Sequence, residues 1–287
     1  MKRRDFIKYA SGLCGLNALP FSISSSASTK DFNGKFVVNI QADGGWDVAS
    51  ICDPKLNVAG ESIVNQWAES AEIQTAGNIQ FAPFANNQSF FEKYYQDMLV
   101  INGIDAQTNS HNAGSTHNWS GRLSEGYPSL TSLYANATAP NLSMSYINNG
   151  GYSETAGIIR SSRLDQTENL SNILNPNNTS WDSNNYLHND DFERINNARK
   201  QRFSRLLDNT TASPFQNKNW GNYQTALNSA DSLKVFADNI KAAGELEQNE
   251  LEGDFFSSLK IQAQLAVIAM YSGVTTSADL IQASFVF

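Results

Sequence analysis

Two short apolar runs, each stopping abruptly at a polar, glycine-bearing segment, constrain the fold of this chain more than any other feature. The first, Phe36-Val37-Val38-Asn39-Ile40-Gln41, ends at Ala42-Asp43-Gly44-Gly45-Trp46-Asp47. It reads as a buried strand feeding a tight turn. The second, Met98-Leu99-Val100-Ile101-Asn102-Gly103, follows a helical-looking Ser89–Gln96 and runs into a long polar stretch. Helix, then buried strand, then polar residues just past the strand is the pattern of an α/β sheet. The expectation is an α/β fold with a mostly parallel central sheet flanked by helices. Ligands of such sheets sit outside the carboxyl ends of the strands, where both polar segments would lie.

The rest of the chain supplies helices. From about Asn136 to Asn228 it is rich in Asn, Ser and Thr, and Asn172–Asn185 reads as a long loop. Asp190 can cap a helix whose apolar face is Phe192, Ile195, Ala198, Phe203 and Leu206, with Glu193 completing a capping box. A second amphipathic pattern runs from about Tyr223 to Leu246, and a third helix, Leu259–Tyr271, is apolar nearly all round and should be buried. Asp182, Asn184 and Glu193 loosely echo a calcium loop. Leu187 stands where that loop needs Gly and Tyr186 where it needs an oxygen ligand, so loop and helix cap is the better reading.

The N-terminus speaks to destination. Lys2-Arg3-Arg4-Asp5-Phe6-Ile7-Lys8 resembles the twin-arginine export signal. A weakly apolar stretch follows from Tyr9 to Ile23, and Ser25 and Ala27 suit the small-x-small cleavage rule. Residues 1–27 are expected to be a signal peptide and 28–287 a single α/β domain, carried by the twin-arginine export machinery to the periplasm. Removing residues 1–27 takes away four basic residues and one acidic one, so the net charge falls from −8 to −11. That balance argues against nucleic-acid binding, which needs Lys and Arg on phosphates. No other stretch of about 20 apolar residues exists, so no transmembrane anchor is expected in the mature chain. Cys52 is the one cysteine outside the signal. It allows neither an intramolecular disulfide nor a Cys-based zinc site, and reads as a buried, inert thiol.

Two segments carry chemistry-bearing side chains. Asp43-Gly44-Gly45-Trp46-Asp47 places two carboxylates at a glycine turn. It is either a hard-oxygen site for a divalent metal or an ordinary Asp-Gly turn closing a strand. The stretch from Asn102 to Arg122 contains Ser110, His111, His117 and Arg122. A Ser at a helix start beside a metal can act as a nucleophile, and Arg122 can clamp a phosphate or sulfate through its fork of donors. The competing reading is a Ser/Asn-rich capping loop.

In this order and spacing, the segments resemble the DUF1501 family of exported proteins, related to the alkaline phosphatase and sulfatase superfamily. The family's Gly-Gly-x-Asp turn is matched by Gly44-Gly45-Trp46-Asp47, its Leu-Val-Ile strand by Leu99-Val100-Ile101 and its Ser-His element by Ser110-His111. Asn109–Gly114 is also similar to the nucleophile loop of cofactor-independent phosphoglycerate mutases, more distant members. The resemblance implies an alkaline-phosphatase-like core and a divalent metal such as zinc, calcium or manganese. It makes Asp47 the first metal ligand, with Asp43 the competing choice. Ser110 would be the nucleophile or a hydroxyl ligand, with His111 and Arg122 nearby. Val274–Phe285 resembles the family's late helix-to-strand step, which there leads into an Asp-Thr-His turn carrying further ligands. Here Phe287 ends the sequence before such a turn, so the expected core and metal set are incomplete. Two functions follow as expectations. One is an exported metal-dependent hydrolase-like protein acting on phosphate or sulfate esters of small molecules or polysaccharides. The other is a non-catalytic exported binding protein that keeps the fold.

Overall fold

A computed structural model describes residues 32, 34–42, 47–69, 71–164, 188–208, 212–243 and 259–282. The export signal, Asp43 and the loop expected at 172–185 lie outside the described residues. Four strands form one sheet in the order β1-β6-β4-β5, from Val37–Ala42 (β1), Tyr146–Asn148 (β4), Ser161–Ser162 (β5) and Ser277–Gln282 (β6). Every pairing in it is parallel. A separate antiparallel hairpin joins Gln74–Ala76 (β2) to Ile79–Phe81 (β3). The expected α/β class with a mostly parallel sheet is therefore present. The seven helices among the described residues are Asn87–Tyr94 (α1), His111–Ser120 (α2), Leu130–Thr138 (α3), Asn189–Leu207 (α4), Pro214–Asn228 (α5), Ala230–Ala243 (α6) and Leu259–Tyr271 (α7). None is long and apolar enough to cross a membrane.

The sheet has two unlike faces, because alternate residues of a strand point to opposite sides. Ala278 and Leu280 of β6, with Ile147 of β4, face Leu265, Ala266 and Ala269 of α7 and Phe236 of α6 in the main core. Ser277 and Asp279 face the other way, where Ser277 Oγ donates to the Thr131 carbonyl of α3 at 3.0 Å. The turn from α7 into β6 is fixed locally. Gly273 adopts a left-handed φ of 68°, Gly273 N donates to the Met270 carbonyl and Val274 N to the Ala269 carbonyl. This is a Schellman ending, and it drops Val274 into the core.

Several sequence expectations are corrected. Met98–Gly103 is not a strand. Met98 is extended, and Met98 and Val100 pack on the small core under the β2–β3 hairpin, but Leu99 is 83% exposed. The apolar alternation is real, yet no described strand pairs with it, and a strand without a partner makes no ladder. β1 is a strand but is not buried. Val38 and Ile40 share the face of Ala278 and Leu280 by register, yet remain 43% and 55% exposed because α6 and α7 cover β6 and β4 instead.

The helices are corrected at their ends. α4 begins at Asn189 with His188 as its cap, and Asp190 lies in its first turn. The helix expected over Tyr223–Leu246 is two helices meeting at Ser229. The first starts much earlier, at a Ser213-Pro214 capping box closed by Gln216. α7 has the expected bounds and is mostly buried, with Lys260, Val267 and Tyr271 left exposed.

Truncating Leu265, fully buried in the main core, to Ala should cost about 2–5 kcal/mol in urea denaturation, while Val267→Ala on the outer side of the same helix should stay within about 0.5 kcal/mol. Equal losses at the two positions would contradict this packing.

Candidate functional site

The carboxyl ends of the parallel strands gather most of the polar side chains of interest. Gln41, near the end of β1, donates from Nε2 to Ser115 Oγ of α2 at 2.7 Å. This bond brings α2 to the same end of the sheet that leads into Asp47. Ser110 is the N-cap of α2, but its side chain makes no cap hydrogen bond. His111 is the first helical residue and is exposed. Ser110 and His111 are thus together at the helix start.

Arg122 is elsewhere. It follows Gly121, the C-cap of α2, so a ten-residue helix with a rise of about 1.5 Å per residue puts it about 15 Å from Ser110 along the axis. There its guanidinium lies over the Tyr127 ring at 5.5 Å, and with His117 it lines a surface depression of about 450 Å³. Ser110 and Arg122 therefore belong to different places.

Asp47 is committed to its own turn. It caps the single 3-10 turn Val48–Ser50, where Oδ1 accepts from Ala49 N at 3.0 Å and Oδ2 from Ser50 Oγ at 2.6 Å. Among the described residues no group of three or more His, Cys, Asp or Glu side chains converges where a metal ion would sit. With both carboxylate oxygens already engaged and no converging partners, the described residues do not fit a resident divalent metal. Cys52 is half-buried beside the small core under the hairpin.

A second cluster was not legible as a site. Asp279 sits in the middle of the central strand β6 with no exposure. Tyr146 Oη donates to its Oδ2 at 2.5 Å. The same hydroxyl accepts from Asn148 Nδ2 at 2.9 Å and from Ser129 Oγ at 3.2 Å. Among the described residues, Asp279 Oδ1 is buried without a hydrogen-bond partner. Burial pushes the Asp279 carboxyl up to about 6, with the Thr131, Tyr146 and Ser129 hydroxyls holding it partly down. Burial and the adjacent carboxylate together push the Tyr146 hydroxyl far above its ordinary range.

Asn148 connects this pair to the surface. It stands at the end of β4, accepts from Gly150 N at 3.1 Å through Oδ1, and lines a depression of about 300 Å³. Gly150, Gly151, Ser161, Ser162 and Arg163 line the same depression. Gly151 has φ of 73°, and a methyl group on it would sit 2.9 Å from the Trp119 indole of α2. Only glycine fits this close crossing of loop and helix. The sequence signal for the cluster was an Asp within the apolar Ala278–Ile281 run, together with the Asn148-Asn149-Gly150-Gly151 break after a short strand. Neither is diagnostic without the pairing of β4 to β6.

Comparison with known protein families, curated proteins and solved structures finds no match for this chain.

The raised Asp279 carboxyl has a consequence for stability. Its ordinary value is 3.8 and its folded value about 6, so between these the native state holds a proton that the unfolded state has lost. Stability should fall as pH rises through this window, by about 3 kcal/mol in all, and Asp279→Asn should remove that fall. Urea denaturation of both proteins from about pH 4 to 7 tests it; parallel profiles would refute the assignment.

Proposed function

We propose that this is an exported, hydrolase-like α/β protein that binds a phosphate or sulfate ester at the carboxyl end of its parallel sheet and does not turn it over by metal-dependent chemistry. The likeness to the DUF1501 family and the twin-arginine-like N-terminus support export to the periplasm. The Gln41–Ser115 bond carries the reading of the site, because it supports a helix start, Ser110, standing at the strand end that leads to Asp47. The engaged oxygens of Asp47 favour holding the ester over metal-assisted attack.

A second reading is hydrolysis with Ser110 as nucleophile. It is favoured by the Ser110 hydroxyl, which caps nothing despite its N-cap position. In that reaction Ser110 Oγ bonds to phosphorus or sulfur, its proton leaves to solvent or a neighbouring base, and the ester oxygen departs with the bond electrons.

Purified protein should carry no stoichiometric zinc, calcium or manganese by elemental analysis. Aryl phosphate and aryl sulfate should be hydrolysed no faster by wild type than by Ser110→Ala or Asp47→Ala. One metal per chain with activity lost in both variants would reverse the choice between the two readings.

A further inference from the structure

We propose that the solvent side of α4 is a docking surface for a sulfated polysaccharide, held by the basic row Arg199, Arg202 and Arg205 with Lys200 beside it. It is a second surface, beyond the ester site, and stands whether or not that reading holds. In a chain of net charge −8, five of the 20 Lys and Arg fall between residues 194 and 205, and no Asp or Glu lies among them. The run Arg199-Lys200-Gln201-Arg202 is the kind of short basic cluster that polyanions recognise.

The helix groups these charges and leaves them unbalanced. Arg199, Arg202 and Arg205 are each three residues apart, so they form one slanting row along about 9 Å of the helix axis. All three are exposed, as is Lys200. Among the described residues, Arg199, Lys200 and Arg202 make no ion pair and no side-chain hydrogen bond. Arg205 Nε donates to the neutral Gln201 carbonyl at 3.4 Å, which leaves the charge of Arg205 unbalanced. Arg194 is paired with Asp191 at 3.6 Å and is not counted in the row. The helix by itself does not account for this arrangement. Its macrodipole favours a cation in the last turn, where Arg205 stands, but not Arg199, Lys200 or Arg202 further back. Like charges at neighbouring helix positions repel, so the free helix carries the row at a cost.

The partner follows from what α4 does with its other side. Phe203 is buried, and its ring meets that of Tyr223 of α5 at 5.2 Å. The aromatic side of the helix thus faces protein, and the side left to solvent is cationic. A helix that lies on a membrane does the reverse and puts its apolar face into the lipid. Ile195 and Leu206 flank the row at 39% exposure each, and α4 has no exposed aromatic side chain of the kind that anchors a protein interface. A linear polymer with repeated sulfates needs no such anchor, because each guanidinium fork takes sulfate oxygens in turn. The acidic remainder of the chain opposes a polyanion. At physiological salt its field fades over about 8 Å, so a polymer that touches α4 alone is still held.

The test is calorimetric titration of the full chain with dextran sulfate. Uncharged dextran, polyglutamate, single-stranded DNA and phosphatidylglycerol vesicles, the last three at equal charge concentration, serve as comparisons. Dextran sulfate should bind most tightly and uncharged dextran should not bind. Raising the salt from about 50 to about 200 mM should weaken binding about tenfold or more, as counterion release at three or four charges requires. Replacing Arg199→Gln and Arg202→Gln together should weaken it about tenfold or more, with a melting temperature unchanged or slightly raised because the like-charge pair is gone. Lys93→Gln, a loss of one exposed charge on α1, should bind within about twofold of wild type. Unchanged binding in the folded double variant, or equal weakening by Lys93→Gln, would overturn the proposal. So would failure of wild type to bind dextran sulfate, or binding of polyglutamate, DNA or vesicles as tight as that of dextran sulfate.

Discussion

The hydrogen bond from Tyr146 to Asp279 holds together the two strands on which the other elements are arranged. β6 is the last described strand in sequence and a central one in the sheet, with β1 on one side and β4 on the other. Its position buries a carboxylate with no exposure to bulk solvent. Such a group is tolerated when hydrogen bonds replace its hydration. Tyr146 supplies that bond from β4, and Ser129 and Asn148 support the tyrosine from the start of α3 and the end of β4. Ser129 also caps α3 by accepting from Ser132 N, so one side chain serves both the helix and the buried network.

The two faces of the sheet follow from this division. Leucine, isoleucine and alanine on one side meet α6 and α7 in a dry core, where stability comes from area removed from water. On the other side α3 meets β6 and β4 through hydroxyls, amides and the carboxylate. Polar packing of that kind contributes less net energy per contact but is specific in geometry. It also leads to the surface, because Asn148 belongs both to the buried network and to the depression at the strand ends.

Much of the local structure was legible in the sequence. The apolar run at β1, the helical spacing before Met98 and α7 all occur where periodicity and punctuation put them, and β6 follows α7 within the segment that the family resemblance marked as a helix-to-strand step. The failures share a cause. Met98–Ile101 has the alternation of a strand, but a ladder needs a second chain segment, and alternation cannot report one. Tyr146–Asn148 pairs with β6 over only three residues, too short for periodicity to register. The break at Ser229 lies inside a continuous amphipathic pattern, so only the helix geometry reveals it. For the candidate site, Ser110 at a helix start was readable from Ser-His before a helical stretch. Its separation from Arg122 follows once the ten residues between them are known to be helical.

The sequence by itself determined the α/β class, the acidic balance, the twin-arginine-like start and the residue types that cap and end the helices. These are local or compositional properties, carried by neighbours within a few positions. Tertiary structure alone decided the strand order and the placement of Asp279 against Tyr146. It also decided the meeting of Gly151 with Trp119. Each depends on where a backbone crosses another far away in sequence: 133 positions separate Tyr146 from Asp279, and 74 separate Gln41 from Ser115. Local pattern does not encode those distances, since they are set by which strands pair and which faces must be removed from water.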